Sequence, residues 1–260
     1  MTTPLSIAII AKDEADRIAT CIDSLGFADE IVVVVDERSR DDTLSIVRNA
    51  GCRAIQQKWL GYAKQKQLAV DSCSHPWVLI VDADERVPPQ TAEAIQGLLD
   101  VPDPSVAAYS LTRKNILHGQ WIRRCGWWPD RVIRLVDRTK GAYSEDLVHE
   151  QWVAEGPVQA IDHALEHHSF RNYADMLDKL QHYSTLAARQ MHREGHSATW
   201  LTPMSHGLWM FVRTYFLELG MLAGFDGFMI SILNAGGSFM KYAKLRELRL
   251  ADGSSRPPSA

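Results

Sequence analysis

Val78-Leu79-Ile80-Val81-Asp82-Ala83-Asp84-Glu85 is the stretch that decides how this chain is read. Four consecutive apolar residues fit a strand covered on both faces. The run closes on two aspartates with one small residue between them. Two carboxylates at the rim of an apolar strand repel each other, so a partner must offset that repulsion. Alternate residues of a strand point to the same side, so Asp82 and Asp84 face one point if the strand persists. Two hard oxygen ligands at that spacing suit Mg2+ or Mn2+, with water and phosphate oxygens completing the shell.

Upstream, the same alternation of short apolar runs and helical segments recurs. Residues 5–11 form a first apolar run, and Ile18, Ile22 and Leu25 then share a helix face. Residues 31–35 are five consecutive β-branched residues, followed by the turn DERSRDDT and a helix over 44–50. CRAIQQ predicts a third strand, GYAKQKQLAVDSC a third helix, WVLIVDADE the fourth strand and PQTAEAIQGLL a fourth helix. Strands alternating with helices of these lengths imply parallel crossovers and a three-layer α/β sheet. Ligands of such sheets sit at the carboxyl ends of the strands. Those ends carry Lys12-Asp13-Glu14, Asp36 and Asp82-Ala83-Asp84, so three acidic clusters converge on one edge.

After Val101 the pattern changes. AAYSLTRKNI and RVIRLVD predict strands of a more mixed sheet, and residues 172–194 a long helix. The apolar region 207–244 is interrupted by Arg213, Glu218 and Asp226, and its longest uncharged run, 227–240, has 14 residues. A spanning helix needs about 20. The region is expected to form one or two amphipathic helices that either cap the core or lie in a membrane interface, with Arg213, Lys241, Lys244 and Arg246 towards headgroups. Residues 251–260 are expected to be a disordered tail.

The 260 residues are 46% hydrophobic, enough for a sizeable core, and the net charge of -4 gives no reason to expect a nucleic-acid partner. Residues 113–140 carry eight Lys or Arg against two Asp, which is either a solvated basic face or a groove for phosphate-bearing ligands. Cys21, Cys52, Cys73 and Cys125 have no metal-type spacing and fit reduced thiols. No basic segment precedes the first strand, so a signal peptide is not expected, and a cytoplasmic location is.

Several motifs together resemble the inverting glycosyltransferases of family 2, which have a GT-A fold, and within them the lipopolysaccharide inner-core β-1,4-glucosyltransferase type. IAIIAKDEADRI is similar to the family's first strand and Asn-Glu turn, with Asp13 at the Asn position. VVVVDERSRDDT keeps Asp36, Ser39, Asp41 and Thr43 of a D-S-G-S-x-D-x-T turn, but places Glu37-Arg38 at the small Ser-Gly pair. GYAKQKQLAV puts Lys66-Gln67 at an Arg/Lys-Asn position. VDADERV carries the DxD, and GWWPDRVIRL and DLVHEQWVAEG complete the series, so the likeness runs over about residues 4–248.

The resemblance implies a transferase domain over 1–165, a helical and membrane-associated region over 166–250, and the tail. It implies transfer of a hexose, with glucose favoured, from a UDP-sugar to a lipopolysaccharide inner core or similar glycolipid, at the inner face of the inner membrane. Asp84, with Asp82 shared between metal and ribose, would hold Mg2+ or Mn2+ to stabilise the leaving diphosphate. Glu14, Asp36, Lys66 and Asp82 would bind the donor. Glu150 would be the general base, with Asp146 and Asp130 as rivals. His149 would bind phosphate or metal, or orient Glu150. Trp127 and Trp128 offer flat faces to an acceptor sugar, with core packing the competing role, and Asp130 and Arg131 join them. Two other readings stand: a phosphohydrolase of the HAD type, for which Arg86 occupies the wrong place after the DxD, and an inactive membrane-associated scaffold.

Overall fold

β1 (Leu5–Ala11) lies at the centre of a parallel array. It pairs in parallel with β2 (Glu30–Asp36) on one side and β4 (Trp77–Asp82) on the other, and β2 pairs with β3 (Arg53–Gln57). The crossovers are α1 (Ile18–Asp23), α2 (Thr43–Asn49) and α3 (Tyr62–Asp71). The computed structural model describes residues 3–144 and 151–254.

Side-chain alternation explains why these strands are apolar throughout. Ile7, Ile9, Val33, Val35, Leu79 and Val81 point to one face, where α1, α2 and α4 (Pro89–Asp100) supply Ile18, Ile22, Val47, Ile95 and Leu99. Ala8, Val32, Val34, Val78 and Ile80 point to the other, against Ala69 and Val70 of α3. Each strand is therefore buried on both sides. The three-layer α/β class read from the sequence is what the structure has.

Beyond β4 the sheet turns mixed. β5 (Glu85–Arg86), β6 (Ala108–Leu117), β7 (Gln120–Trp121), β8 (Asp130–Asp137) and β11 (Val158–His167) complete it in the order β3-β2-β1-β4-β8-β6-β11-β5, with β7 paired to β6. β9 (Gly141–Tyr143) and β10 (Trp152–Ala154) form a separate antiparallel pair. β4 and β8 are antiparallel but pair only over Trp77–Asp137, Val78–Val136 and Leu79–Leu135. Past that point they diverge, and β8 continues beside β6 alone.

The chain divides into two compact units, residues 1–114 with 129–169, and residues 115–128 with 170–260. The second is helical: α5 (Tyr173–Arg193), α6 (Thr202–Val212) and α7 (Gly224–Ser254), with α7 packed against both others. α5 starts where the sequence predicts, because Asn172 caps it by accepting the Asp175 N–H at 2.9 Å. Between α6 and α7 the chain makes a π-helical turn, Arg213–Leu217, then Leu219 at φ 56°, then a 3-10 turn, Gly220–Ala223. Leu117, Ile122, Cys125, Met176, Ile230 and Leu233 form this unit's core.

Two basic residues assigned to headgroups from the sequence have other partners. Arg213 Nε donates to Glu218 at 2.8 Å. Lys244 Nζ donates to Gln181 O at 3.0 Å and to the Ser184 and Thr185 hydroxyls at 2.8 Å each. α7 packs on α5, so an ammonium at that position meets α5 rather than water.

Candidate active site

At the carboxyl end of the parallel strands, two loops are tied together by short polar side chains. Asp13 follows β1 in a left-handed conformation, φ 54°, which Asp and Asn tolerate better than most residues. Its N–H donates to Ser39 Oγ at 2.8 Å, and its carboxylate accepts the Arg40 N–H at 2.7 Å. Glu14 N–H donates to Thr43 Oγ1 and Ala15 N–H to Asp41, both at 2.8 Å. Ser39, Asp41 and Thr43 therefore brace the loop after β1 from the loop after β2. Hydrogen bonds from Thr43, Ala15 and Ser39 outweigh the burial of Asp41 and hold its carboxyl below the usual range.

Asp36 is fully buried at the end of β2. Burial alone would raise its pKa, but Arg38 wraps it and lowers it: the backbone N–H and Nε donate to Oδ1 at 3.0 and 3.3 Å, and Nη2 to Oδ2 at 3.2 Å. The residue that departs from the small Ser-Gly pair thus folds onto the carboxylate assigned to the donor. Glu14 lies beside Arg17, whose Nε is 3.9 Å from its carboxylate.

β4 ends at Asp82, and Ala83 and Asp84 form a turn. The condition under which both aspartates would face one point is not met. Asp82 meets two cations, Lys66 Nζ of α3 at 2.9 Å and the Arg134 guanidinium of β8. Burial pushes its pKa up, but Arg134 and then Lys66 hold it well below the carboxylate range. The Lys66 ammonium is held charged in return, Asp82 outweighing its burial. Asp84 faces a different pair: Arg17 Nη1 and His167 Nε2, each at 3.5 Å. Its carbonyl accepts the His168 N–H at 2.8 Å, which fastens the turn to the end of β11.

Arg134 reaches Asp82 because of a β-bulge. Tyr109 of β6 pairs with Leu135, and Ser110 with Ile133, so Arg134 has no residue opposite it. Bulges re-aim a side chain in this way. Its guanidinium is buried and also donates to Glu85 at 2.6 Å. Glu85 is itself buried, and it accepts the Asp82 N–H at 3.0 Å, standing in for the strand partner lost where β4 and β8 part. Arg113 lies 3.7 Å from Glu85 and holds Asp130 at 2.8 Å. Charges therefore alternate from Lys66 through Asp82, Arg134, Glu85 and Arg113 to Asp130.

Of the residues assigned to the acceptor, Asp130 is in this network, and Arg131 only approaches Ser110 O, at 3.4 Å. Trp127 and Trp128 belong to the helical unit. Trp127 stacks on Phe170 with centroids 5.7 Å apart, and Trp128 meets Trp121 edge-on at 4.9 Å. Glu150, and with it Asp146 and His149, lies outside the described residues.

The glycosyl transferase family 2 sequence model matches residues 6–149. The lipopolysaccharide core biosynthesis glycosyltransferase LpsC of Rhizobium meliloti is 33% identical over 254 residues, covering 93% of this chain and 92% of LpsC. The chain belongs to glycosyl transferase family 2. An uncharacterized glycosyltransferase of Rickettsia typhi is 28% identical over 95% of this chain and 88% of its own. Among solved structures, glucosyl-3-phosphoglycerate synthase from Mycobacterium tuberculosis, crystallised with Mn2+, UDP and phosphoglyceric acid, superposes with a TM-score of 0.47 at 16% identity, over 74% of this chain and 78% of that one. S. aureus TarS residues 1–349 with UDP gives 0.44 at 14% identity, over 99% and 94%.

For this family 2 glycosyltransferase, the donor set available to a divalent cation differs from the one read in the sequence. Asp82 is already engaged by Lys66 and Arg134. Asp84 and His167 present one hard oxygen and one imidazole nitrogen 3.5 Å apart, close enough to share an ion. No cluster of three or more His, Cys, Asp or Glu is placed to hold one among the described residues. The pair fits a cation that takes its other ligands from water and phosphate, as Mg2+ and Mn2+ commonly do. His167, Arg17 and Glu85 were not found from the sequence. The pair His167-His168 at the end of a strand-like run was the one available signal.

Proposed function

We propose that this glycosyltransferase moves a hexose, with glucose favoured, from a UDP-sugar to a lipopolysaccharide inner core or a similar glycolipid, with inversion and with Mg2+ or Mn2+ bound. The carrying observation is the end of β4, where Asp84 and His167 stand as a ligand pair beside the Asp82–Lys66–Arg134 cluster. The acceptor class is supported by the name and full-length likeness of LpsC.

A divalent cation held by Asp84 and His167 would act as a Lewis acid towards the diphosphate. Lys66, at the rim of the same site, supplies a fixed positive charge where the leaving group gains negative charge. Asp82, kept ionised by its two cations, accepts hydrogen bonds from a ribose hydroxyl. Asp36 offers its carboxylate to the base once Arg38 swings aside. Glu150 takes the proton from the attacking acceptor hydroxyl, and a single displacement inverts the anomeric carbon.

The test is release of UDP from a panel of UDP-sugars in the presence of a deacylated inner-core acceptor and Mn2+ or Mg2+. Asp84→Ala is expected to abolish transfer and weaken metal-dependent UDP binding. Glu150→Gln is expected to abolish transfer and leave UDP binding near wild type. Turnover of aryl phosphates without a nucleotide sugar, or full activity after chelation, overturns the proposal.

A further inference from the structure

The helical unit presents a surface that its own core does not use. Residues 195–240 contain only three Asp, Glu, Lys or Arg: Arg213, Glu218 and Asp226. Each has a polar partner within the unit. Arg213 pairs with Glu218, and Asp226 accepts from the Tyr173 hydroxyl and lies 2.9 Å from His118 Nδ1. Besides the exposed Ser205, His206 and Arg213, large apolar side chains stand out to solvent: Leu208, Leu217, Leu222 and Phe225 are 67%, 63%, 63% and 68% exposed.

These positions form one surface rather than isolated exposures. Phe225, Phe228 and Ile232 lie on one stripe of α7, opposite the buried Ile230 and Leu233. Rings connect that stripe to the π-helical turn after α6: Phe225 to Phe228 at 6.4 Å, Phe228 to Tyr215 at 5.9 Å, and Tyr215 to Phe216 at 5.1 Å. A soluble surface rarely exposes so extended an apolar patch, least of all one so sparse in charge.

We propose that this face, made by α6, the turns after it and the start of α7, inserts into one leaflet of a lipid bilayer without crossing it. No single helix among the described residues is long and apolar enough to cross a membrane, and the pair that passes together is bent by 66° at its break. The first arm, Thr202–Leu217, is about 24 Å long at ~1.5 Å per residue, short of a ~30 Å hydrocarbon core. Exposed Trp200 and Trp209 belong to the residue type that prefers the headgroup boundary. The sparse charge selects lipid: the three charged side chains of 195–240 are each partnered within the unit, and acyl chains tolerate ionisable groups best when they are paired. The choice of a bilayer over a second copy also rests on the glycolipid acceptor proposed above. Arg213 and Lys244 are engaged internally, so attachment is hydrophobic rather than electrostatic.

The experiment is flotation of the full chain with phosphatidylcholine vesicles, without donor or acceptor, in about 0.1 M and about 1 M NaCl. The wild type is expected to float with the vesicles at both salt concentrations. Leu208→Glu/Leu222→Glu/Phe225→Glu is expected to lose binding by on the order of tenfold or more, with circular dichroism and UDP binding unchanged, since all three positions are exposed. Wild type that stays with the soluble fraction, or leaves the vesicles at high salt, overturns the proposal. So does a lipid-free dimer that the triple variant converts to monomer, or a C-terminal tag shielded from protease inside sealed vesicles. Vesicle binding that persists while transfer to a glycolipid fails supports this proposal and overturns only the acceptor.

Discussion

Arg134 is the residue on which the acid turn rests. A bulge removes it from the alternation of β8 and aims its buried guanidinium at Asp82 and Glu85, which it bridges. Arg134→Met leaves two carboxylates without that partner, and breaking such a buried pair costs about 3–5 kcal/mol. Urea unfolding should register that loss. Arg134→Lys should restore part of it, because an ammonium supplies the charge but not the planar fork. Sequence reading reached the carboxylates and Lys66 here, but not the contacts between them. Asp82 and Asp84 are visible because they end an apolar run. The reach of Arg134 to Asp82 is not, because an extra residue in a strand leaves no mark in a period-two pattern, and His167 is 83 positions beyond Asp84 in a sequence that gives no distance.

Elements were legible in proportion to their regularity. β1, β2 and β4 follow from apolar runs, their helices from helical spacing, and α5 from the polar and apolar pattern over 172–194. β5 has two residues and no pattern to read, and the path from α6 to α7 passes through π and 3-10 turns that no periodicity encodes. Close packing governs that path. A Cβ on Gly227 of α7 would lie 2.0 Å from Gly220 O, and one on Gly220 would lie 2.8 Å from Thr214 O. Both neighbours are backbone, so neither yields as a side chain would. Gly227→Ala should therefore destabilise the helical unit by about 3 kcal/mol, the upper range of ordinary overpacking, measured as a lowered midpoint of helix loss by circular dichroism. A loss of less than about 0.5 kcal/mol, the usual scale of a surface change, would mean that α7 starts elsewhere.

At the scale of the whole molecule, acid is the expected route to unfolding. Glu30, Asp36, Asp41, Asp82 and Asp137 all have carboxyls held below their ordinary range in the folded protein, by hydrogen bonds or cations that outweigh burial. In acid the unfolded chain then binds more protons than the folded one, so stability falls as pH falls. It is fully present above the ordinary carboxylate range and is lost as pH drops through the depressed values. Urea midpoints should stay level from neutral pH to about pH 5 and decline steeply below about pH 4. Asp82→Asn should make the decline shallower. The family and the α/β class were legible at this scale because they depend on many residues in series. Residues 115–128, by contrast, include the end of β6 and all of β7 yet group with the helices, a grouping that local patterns do not encode.

The parting of β4 from β8 carries a consequence of its own. Leu79 and Leu135 form the last rung of a forked ladder, and above it one tine ends in an amide tethered to a carboxylate instead of a neighbouring chain. Such a tether loosens by a side-chain rotation, with no strand having to unzip. Deuterium uptake at the Asp82 amide should accordingly outpace that at Leu79, and Glu85→Gln should widen the gap while leaving the lower rungs as slow as before.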